Sequence, residues 1–430
     1  MPGDTNYVTG LERAWQSLTG LRLGDAFGGS FFWKTDLAER VQNRQLSPDE
    51  WRWSDDTAMG RSVYMCLVLH KKIVPDALAD LFSQEYLRDP VRGYGTMAHT
   101  YLHEIGQGVP WQEAAGVVFD GKGSYGNGAA MRAGPVGAYF AGDIERVLDQ
   151  ARQSAIVTHA HPEGQAGAMA VAAAAAWAVQ AKALNGREML HWVWSHTPAG
   201  LTRSNLERAL AFPLDQKPEE AAALLGSGQR ITAQDTVPFA LWCAARHLDS
   251  YPEALWATVA GEGDMDTTGA IVGSIVALCA HEGIPEQWQS QAEAMSLPQE
   301  VIGETVKYQI AEGLLAEGRV VDAIQIYRGI LERDRDDWRG HLALGECYFK
   351  ENRITDGLGH FQEVARLAPR EAGPAYLARA ELLLQQGEPE NRAALWFRHA
   401  ADCFLKKSEM ERYEAVRQRM LELGWELEVP

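Results

Sequence analysis

A chain of 430 residues is too long for one typical compact domain, so two domains are expected, and an apolar fraction of 46% is ample for packed cores. The net charge of −18, from 40 basic and 58 acidic side chains, argues for solubility and excludes general binding to nucleic acid or membrane surfaces. It leaves room for a phosphate-bearing ligand, because backbone N–H groups and metal ions hold phosphate without net positive charge.

Apolar residues recur at helical spacing nearly throughout and long alternating runs are missing, so the fold is expected to be all-α. Helices are predicted over residues 11–23, 58–70, 75–87, 96–105, 129–141, 144–159, 166–184, 236–247 and 269–280, punctuated by Gly and Pro. The first ends in Gly20-Leu21-Arg22-Leu23-Gly24-Asp25-Ala26-Phe27-Gly28, where small residues let backbone come close to a neighbour. Asp25 could orient a ligand there, although a Gly-rich helix end with an Asp looks the same. Ser54-Asp55-Asp56-Thr57 then opens the second helix, and Asp264-Met265-Asp266-Thr267-Thr268 opens the last. Either cluster alone reads as an N-cap with a solvated acidic turn. Together they read as an oxygen-only site for a hard cation, Mg²⁺, Mn²⁺ or Ca²⁺, with room for two metals.

Between the clusters lie Gly93-Tyr94-Gly95 and the stretch Gly121-Lys122-Gly123-Ser124-Tyr125-Gly126-Asn127-Gly128. The second stretch precedes a helix expected near Ala129, so exposed N–H groups and a helix N-terminus would form an anion cradle. It is neither the P-loop nor the dinucleotide fingerprint. Asn127 could bond a sugar hydroxyl or phosphate; the plainer alternative is a flexible turn. In Thr158-His159-Ala160-His161-Pro162-Glu163 the two His cannot share a helical face, so one His facing a ligand is expected. His99 and His103 read as a surface or packing pair. The Ala-rich run 166–181 is too short and weakly apolar to span a bilayer and reads as a buried helix. Five scattered Cys without CxxC spacing, and no signal-peptide pattern, point to reduced thiols and a cytoplasmic protein.

After Ser296-Leu297-Pro298 the composition shifts and a period of 34 appears, aligning Gly318-Arg319 with Asn352-Arg353. Leu344, Gly345, Tyr348, Gly357, Phe361 and Pro369 resemble the tetratricopeptide repeat, with a looser third unit over 375–397 and a capping helix over 409–423. The domains are therefore placed at 1–297 and 298–430. Such repeats offer a surface for a protein partner; support of the first domain, or dimerisation, is the alternative.

In order, Gly-Asp-Ala, Ser-Asp-Asp-Thr, Arg92-Gly-Tyr-Gly, Gly-Ser-Tyr-Gly-Asn-Gly-x-x-Met-Arg, Thr-His, Asp235-Thr-Val-Pro-Phe and Asp-x-Asp-Thr resemble the ADP-ribosylglycohydrolase family over roughly residues 10–285. The resemblance implies an all-α bundle, two Mg²⁺ or Mn²⁺ ions, and hydrolysis of the bond between ADP-ribose and an acceptor such as arginine or serine. It implies metal ligands at Ser54, Asp55, Asp56, Asp264, Asp266 and Thr267, and a catalytic base at Asp55 or Asp56. It implies ligand contacts at Gly95, Gly123, Ser124, Tyr125, Gly126, Asn127, Gly128 and His159. The chain departs from the family where relatives carry a flap Glu, since Phe32 or Trp33 stands there, and Glu262 stands where relatives more often have Gly. The missing Glu keeps two other readings open, a non-catalytic ADP-ribose reader and a hydrolase of another N- or O-glycoside.

Overall fold

The computed structural model describes residues 5–425, apart from 117, 120, 298–306, 309–310, 313, 316–317, 333–334, 352, 369–371, 386–389 and 407–409. The chain divides into two compact units, Met1–Leu297 and Pro298–Pro430. Helices make up both, and among the described residues there are only isolated β-bridges and no strands. No described helix is long and apolar enough to cross a membrane.

Six helices of the first unit position the site: α1 (Thr5–Gly29), α2 (Asp55–His70), α3 (Gly134–Tyr139), α4 (Pro162–Gln180), α5 (Ala233–Arg246) and α6 (Met265–Val276). α1 and α6 touch backbone to backbone along a row of glycines. A Cβ added at Gly20, Gly24 or Gly28 would stand 2.2, 2.0 and 2.0 Å from the carbonyl oxygens of Gly273, Gly269 and Met265. Ser17 Oγ donates to Ser274 O at 2.8 Å along the same seam. The seam is what brings the two acidic clusters together, since Asp25 follows Gly24 and Asp266 precedes Gly269. α4 is the Ala-rich helix, buried along most of its length. Gly137 of α3 meets it so closely that a Cβ there would lie 2.0 Å from Ala172 O.

One predicted helix starts late. α3 begins at Gly134 rather than near Ala129, and residues 129–132 are turns held by Ala130 N→Asn127 O (2.8 Å) and Met131 N→Asn127 O (3.1 Å). Pro135 explains the start, because a ring without an N–H belongs in a first helical turn. The helix N-terminus beside the Gly-rich stretch is therefore that of α4, where a Cβ at Gly123 would stand 2.7 Å from His161 N and one at Gly164 2.9 Å from Ser124 O. None of the five cysteines forms a disulfide, and four of them are buried.

In the second unit, Val320–Leu331 and Trp338–Lys350 build the repeat core from Ala323, Tyr327, Leu344 and Tyr348, and Ile354–Leu367 packs on the second of them. Gly345 lies under Phe361, where a Cβ would come within 2.3 Å of the ring, so the Gly of the repeat pattern is a packing requirement. The period extends to local ion pairs: Arg319–Asp322 at 2.8 Å recurs as Arg353–Asp356 at 2.6 Å. Gly373–Gln385 and Glu390–Lys406 form a third pair, followed by Met410–Glu422. Asn352, Pro369 and Glu409 lie outside the described residues.

Candidate active site

The first cluster is held by α1. Asp25, wholly buried, accepts from Ser54 N (2.9 Å), Thr57 N (3.1 Å) and Thr57 Oγ1 (2.5 Å), which fixes the first turn of α2. Ser54 caps that turn by accepting from Asp56 N at 3.2 Å, and donates its hydroxyl to Asp56 Oδ2 at 2.8 Å. The second cluster opens α6: Asp266 Oδ1 accepts from Thr267 N at 2.8 Å, and Thr267 Oγ1 reaches Asp56 Oδ2 at 3.4 Å. Asp25, Asp56 and Asp266 each offer an oxygen within 4.8 Å of the others. Asp25, read from the sequence only as a possible orienting residue, is thus one of the three converging carboxylates.

Acidic charge crowds this cluster, and Arg132 only partly offsets it at Asp55. Burial pushes Asp25 up to about 6 against four hydrogen bonds that oppose it, and pushes Asp55 up to about 7, with repulsion from Asp25 and Asp264 adding to it. Asp56 and Asp266 are driven well above the usual carboxylate range by burial and then by their acidic neighbours, and Asp264 is raised by burial. Asp56 Oδ1 is buried without a hydrogen-bond partner. An orphaned carboxylate oxygen among converging carboxylates, with hydroxyl and amide groups around it, is a donor set that fits a hard divalent cation.

The Gly-rich stretch packs on His159. Cβ atoms at Gly126 and Gly128 would stand 3.3 and 3.2 Å from its ring, and Gly123, at φ +76, is pressed against Ala160. Asn127 turns inward: Nδ2 donates to Asp264 Oδ2 at 2.7 Å and to Thr236 Oγ1 at 3.0 Å, so it ties this loop to the second cluster. Behind the loop is Arg132, fully buried, donating to Gly128 O (2.7 Å), Ser154 O (3.0 Å) and Thr158 Oγ1 (2.7 Å). Burial lowers it to about 10, which leaves it charged at neutral pH. Thr158 Oγ1 also bonds His159 Nδ1 at 2.7 Å, which sets the ring with Nε2 toward Gly126 and Gly128. His161 is the N-cap of α4, accepting from Glu163 N at 3.1 Å, and its ring lies 5.4 Å from that of Tyr125, while His159 lies under the glycines of the loop. His99 bonds Tyr86 OH at 3.0 Å, in keeping with a packing role. Sequence reading carried Arg132 in the motif without a role and missed Phe119, an exposed ring at φ 54 lying 5.3 Å from the Tyr125 ring. Phe119 sits in no periodic pattern; an aromatic two residues before the first glycine was the only signal.

Burial, then Arg132, lowers His159 to about 3. Its folded value lies below the unfolded one, so the unfolded chain binds the extra proton and stability falls as pH drops below about 6.5. By about pH 5 this single group is expected to cost about 2 kcal/mol. Urea unfolding of wild type and His159→Gln at pH 7.5 and 5 checks it: the wild type should lose more on acidification.

Gly95 is exposed with nothing within 4 Å of where a Cβ would stand, so it borders open space. Beside it, Gly93 lies 3.7 Å from Asp55 Oδ1 by the same measure. The flap region carries no carboxylate near the cluster. Phe31 is buried against Phe27 and Trp256, while Trp33 is 97% exposed at φ 66. Asp36 is exposed and bonded to Arg40 at 2.8 Å. Glu262 stands at φ 55, a left-handed position that costs a non-Gly residue about 1 kcal/mol. The next residue, Gly263, has no room for a side chain against Ser227 O.

A family model described as ADP-ribosylglycohydrolase matches residues 7–324, and one described as tetratricopeptide repeat matches 314–372. The chain is 29% identical over 331 residues to ADP-ribosylhydrolase ARH3 of Homo sapiens, covering 66% of this chain and 90% of that protein. It is 30% identical over 331 residues to ADP-ribosylhydrolase ARH3 of Xenopus tropicalis, covering 66% and 92%. It is 25% identical over 304 residues to the ADP-ribosyl-(dinitrogen reductase) glycohydrolase of Rhodospirillum rubrum, covering 66% and 90%. Among solved structures, an "ADP-ribosylglycohydrolase-related protein complex" shares the fold with a TM-score of 0.50 at 22% identity, covering 66% of this chain and 94% of that one.

Proposed function

The chain belongs to the ADP-ribosylglycohydrolase family of glycosidic-bond hydrolases, and from that premise we propose that it removes ADP-ribose from a modified protein side chain, arginine or serine, with Mg²⁺ or Mn²⁺ at the carboxylate cluster. The observation that carries this reading is the convergence of Asp25, Asp56 and Asp266 within 4.8 Å, with Asp56 Oδ1 left without a partner. Asp55, Asp56, Asp264, Asp266, Ser54 and Thr267 would hold the ions, with Asp25 joining them. A divalent cation in such a site supplies positive field for sugar hydroxyls and lowers the pKa of a water molecule.

The remaining chemistry falls to the chain's own groups. The backbone N–H groups of Ser124, Tyr125 and Gly128, with neutral His159 beneath the loop, would donate to a diphosphate, while those of Gly123 and Gly126 already donate to Val118 O and Ser124 Oγ. The Phe119 and Tyr125 rings give a base a face to stack on. Gly95, bare of neighbours, leaves room for the outer part of the ligand. Of the paired carboxylates, Asp55 reaches solvent and Asp56 does not. Asp55 therefore takes the proton of the attacking water as its oxygen bonds the anomeric carbon. The bond to the acceptor breaks and its electron pair leaves with the acceptor atom, which is then protonated.

Incubation with ADP-ribosylated arginine and serine peptides, with Mg²⁺, Mn²⁺ or EDTA, tests the reading. Release of ADP-ribose from at least one, abolished by EDTA, is expected; no metal-dependent release from any conjugate would sink it. The absence of a carboxylate between Gly28 and Lys34 favours one other reading, an ADP-ribose binder without turnover. Calorimetry showing tight ADP-ribose binding with no release from any peptide would select it. Under either reading the repeats recruit a protein partner.

A further inference from the structure

Residues 292–296 follow the last helix of the first unit, Glu286–Gln291, and form no helix themselves, yet they are bonded to several residues around the first acidic cluster. Trp51 pairs with Ala292 in a parallel bridge, with Trp51 N donating to Gln291 O at 3.2 Å and Glu293 N to Trp51 O at 2.8 Å. Arg22, three residues before Asp25, donates to Glu293 O at 2.5 Å. Arg61 of α2 donates to Ser296 O at 2.8 Å. The Glu293 carboxylate accepts from both ends of the Arg92 guanidinium, at 2.7 and 2.8 Å. That guanidinium lies over the Trp53 ring, 3.5 Å from its centroid, and donates to Trp53 O at 3.0 Å. The Arg92 carbonyl accepts from Asp55 N at 2.7 Å.

We propose that residues 291–296 are a positioning strap for the carboxylate site, with Glu293 as its positioning residue acting through Arg92 on Asp55. The proposal rests on the reading of the site given above. A guanidinium held by two parallel hydrogen bonds, by an aromatic face and by a carbonyl has no freedom to swing. Its backbone is therefore fixed, and with it the N–H acceptor that sets where Asp55 begins α2. The pair is mostly buried, its side chains 13% and 22% exposed, and its worth to the site lies in placement.

The test uses the full chain with Glu293→Ala, Glu293→Gln and Arg92→Lys. Hydrogen exchange is followed by mass spectrometry, together with kcat and KM on an ADP-ribosylated peptide. Exchange over residues 51–58 is expected to be about tenfold faster in Glu293→Ala, intermediate in Glu293→Gln, and unchanged over α4. Turnover should fall about tenfold in kcat with KM within about twofold. Unchanged protection over 51–58 would overturn the strap, as would an equal loss over α4, which signals general destabilisation. If the wild type releases no ADP-ribose, the functional reading fails and the exchange measurement still decides the strap. If Glu293→Ala does not fold, Glu293→Gln carries the comparison.

Discussion

Asp56→Asn is expected to lower ADP-ribose release by on the order of 10²–10⁴-fold and, at the same time, to make the metal-free protein more stable. The two effects have one cause. Asp56 is buried among Asp25, Asp266, Asp55 and Asp264, each of which disfavours its charge. An amide of the same shape removes that repulsion and can still meet Ser54 and Thr267 through its carbonyl. It loses the anionic oxygens that face the cation. A gain of about 1 kcal/mol, or about 2–4 °C in the melting temperature of the first unit, is expected without metal. With Mn²⁺ the order reverses: about 2.7 kcal/mol is gained by the wild type at a hundred times Kd, and none by the variant. Thermal melts of both proteins with EDTA and with Mn²⁺ check the crossing. A variant destabilised under both conditions would show that Asp56 is an ordinary structural carboxylate.

Gly24→Ala is expected to be among the most damaging single methyl groups that can be added to the first unit. Its Cβ would stand 2.0 Å from Gly269 O, and that oxygen is backbone in a buried helix with nowhere to go. α1 and α6 must separate, at a cost of about 3 kcal/mol. The separation falls where Asp25 and Asp266 face each other, so Mn²⁺ binding should weaken even in the fraction that folds. Gly142→Ala is the control, since Gly142 is exposed with nothing within 4 Å of its Cβ position, and should stay within about 0.5 kcal/mol of wild type. Chemical unfolding and Mn²⁺ titration of the pair measure both effects. Equal behaviour of the two variants would refute the glycine seam.

The features that sequence reading reached are those with local signatures. Helical spacing, the glycines beside Asp25, the alanines of α4 and the 34-residue period all express rules that act over a few residues. The chain's helical nature follows from them, and its family from the ordered motifs that resemble it. The start of α3 was misread because turn residues 129–132 are as apolar as a helix, and Pro135 alone marks the true beginning. Asp25 was underrated for a related reason. One carboxylate at a helix end looks the same whether it caps or converges, and only the approach of α6 tells them apart. The inward turn of Asn127 depends on Asp264, 137 positions away. The Arg92–Glu293 clamp spans 201 positions and leaves no periodic trace. Such pairs become legible only when the fold places them together.

The strap also marks where this protein could be divided. Residues 292–296 lie outside every helix and precede the repeats, so by appearance they belong to a linker. Their bonds make them part of the enzyme. A catalytic fragment ending at Gln291 would keep every acidic residue of the site and lose the support of its first loop. Exchange of the repeats for another recruiting module, whether by gene fusion in evolution or by engineering, has its safe seam only after Ser296.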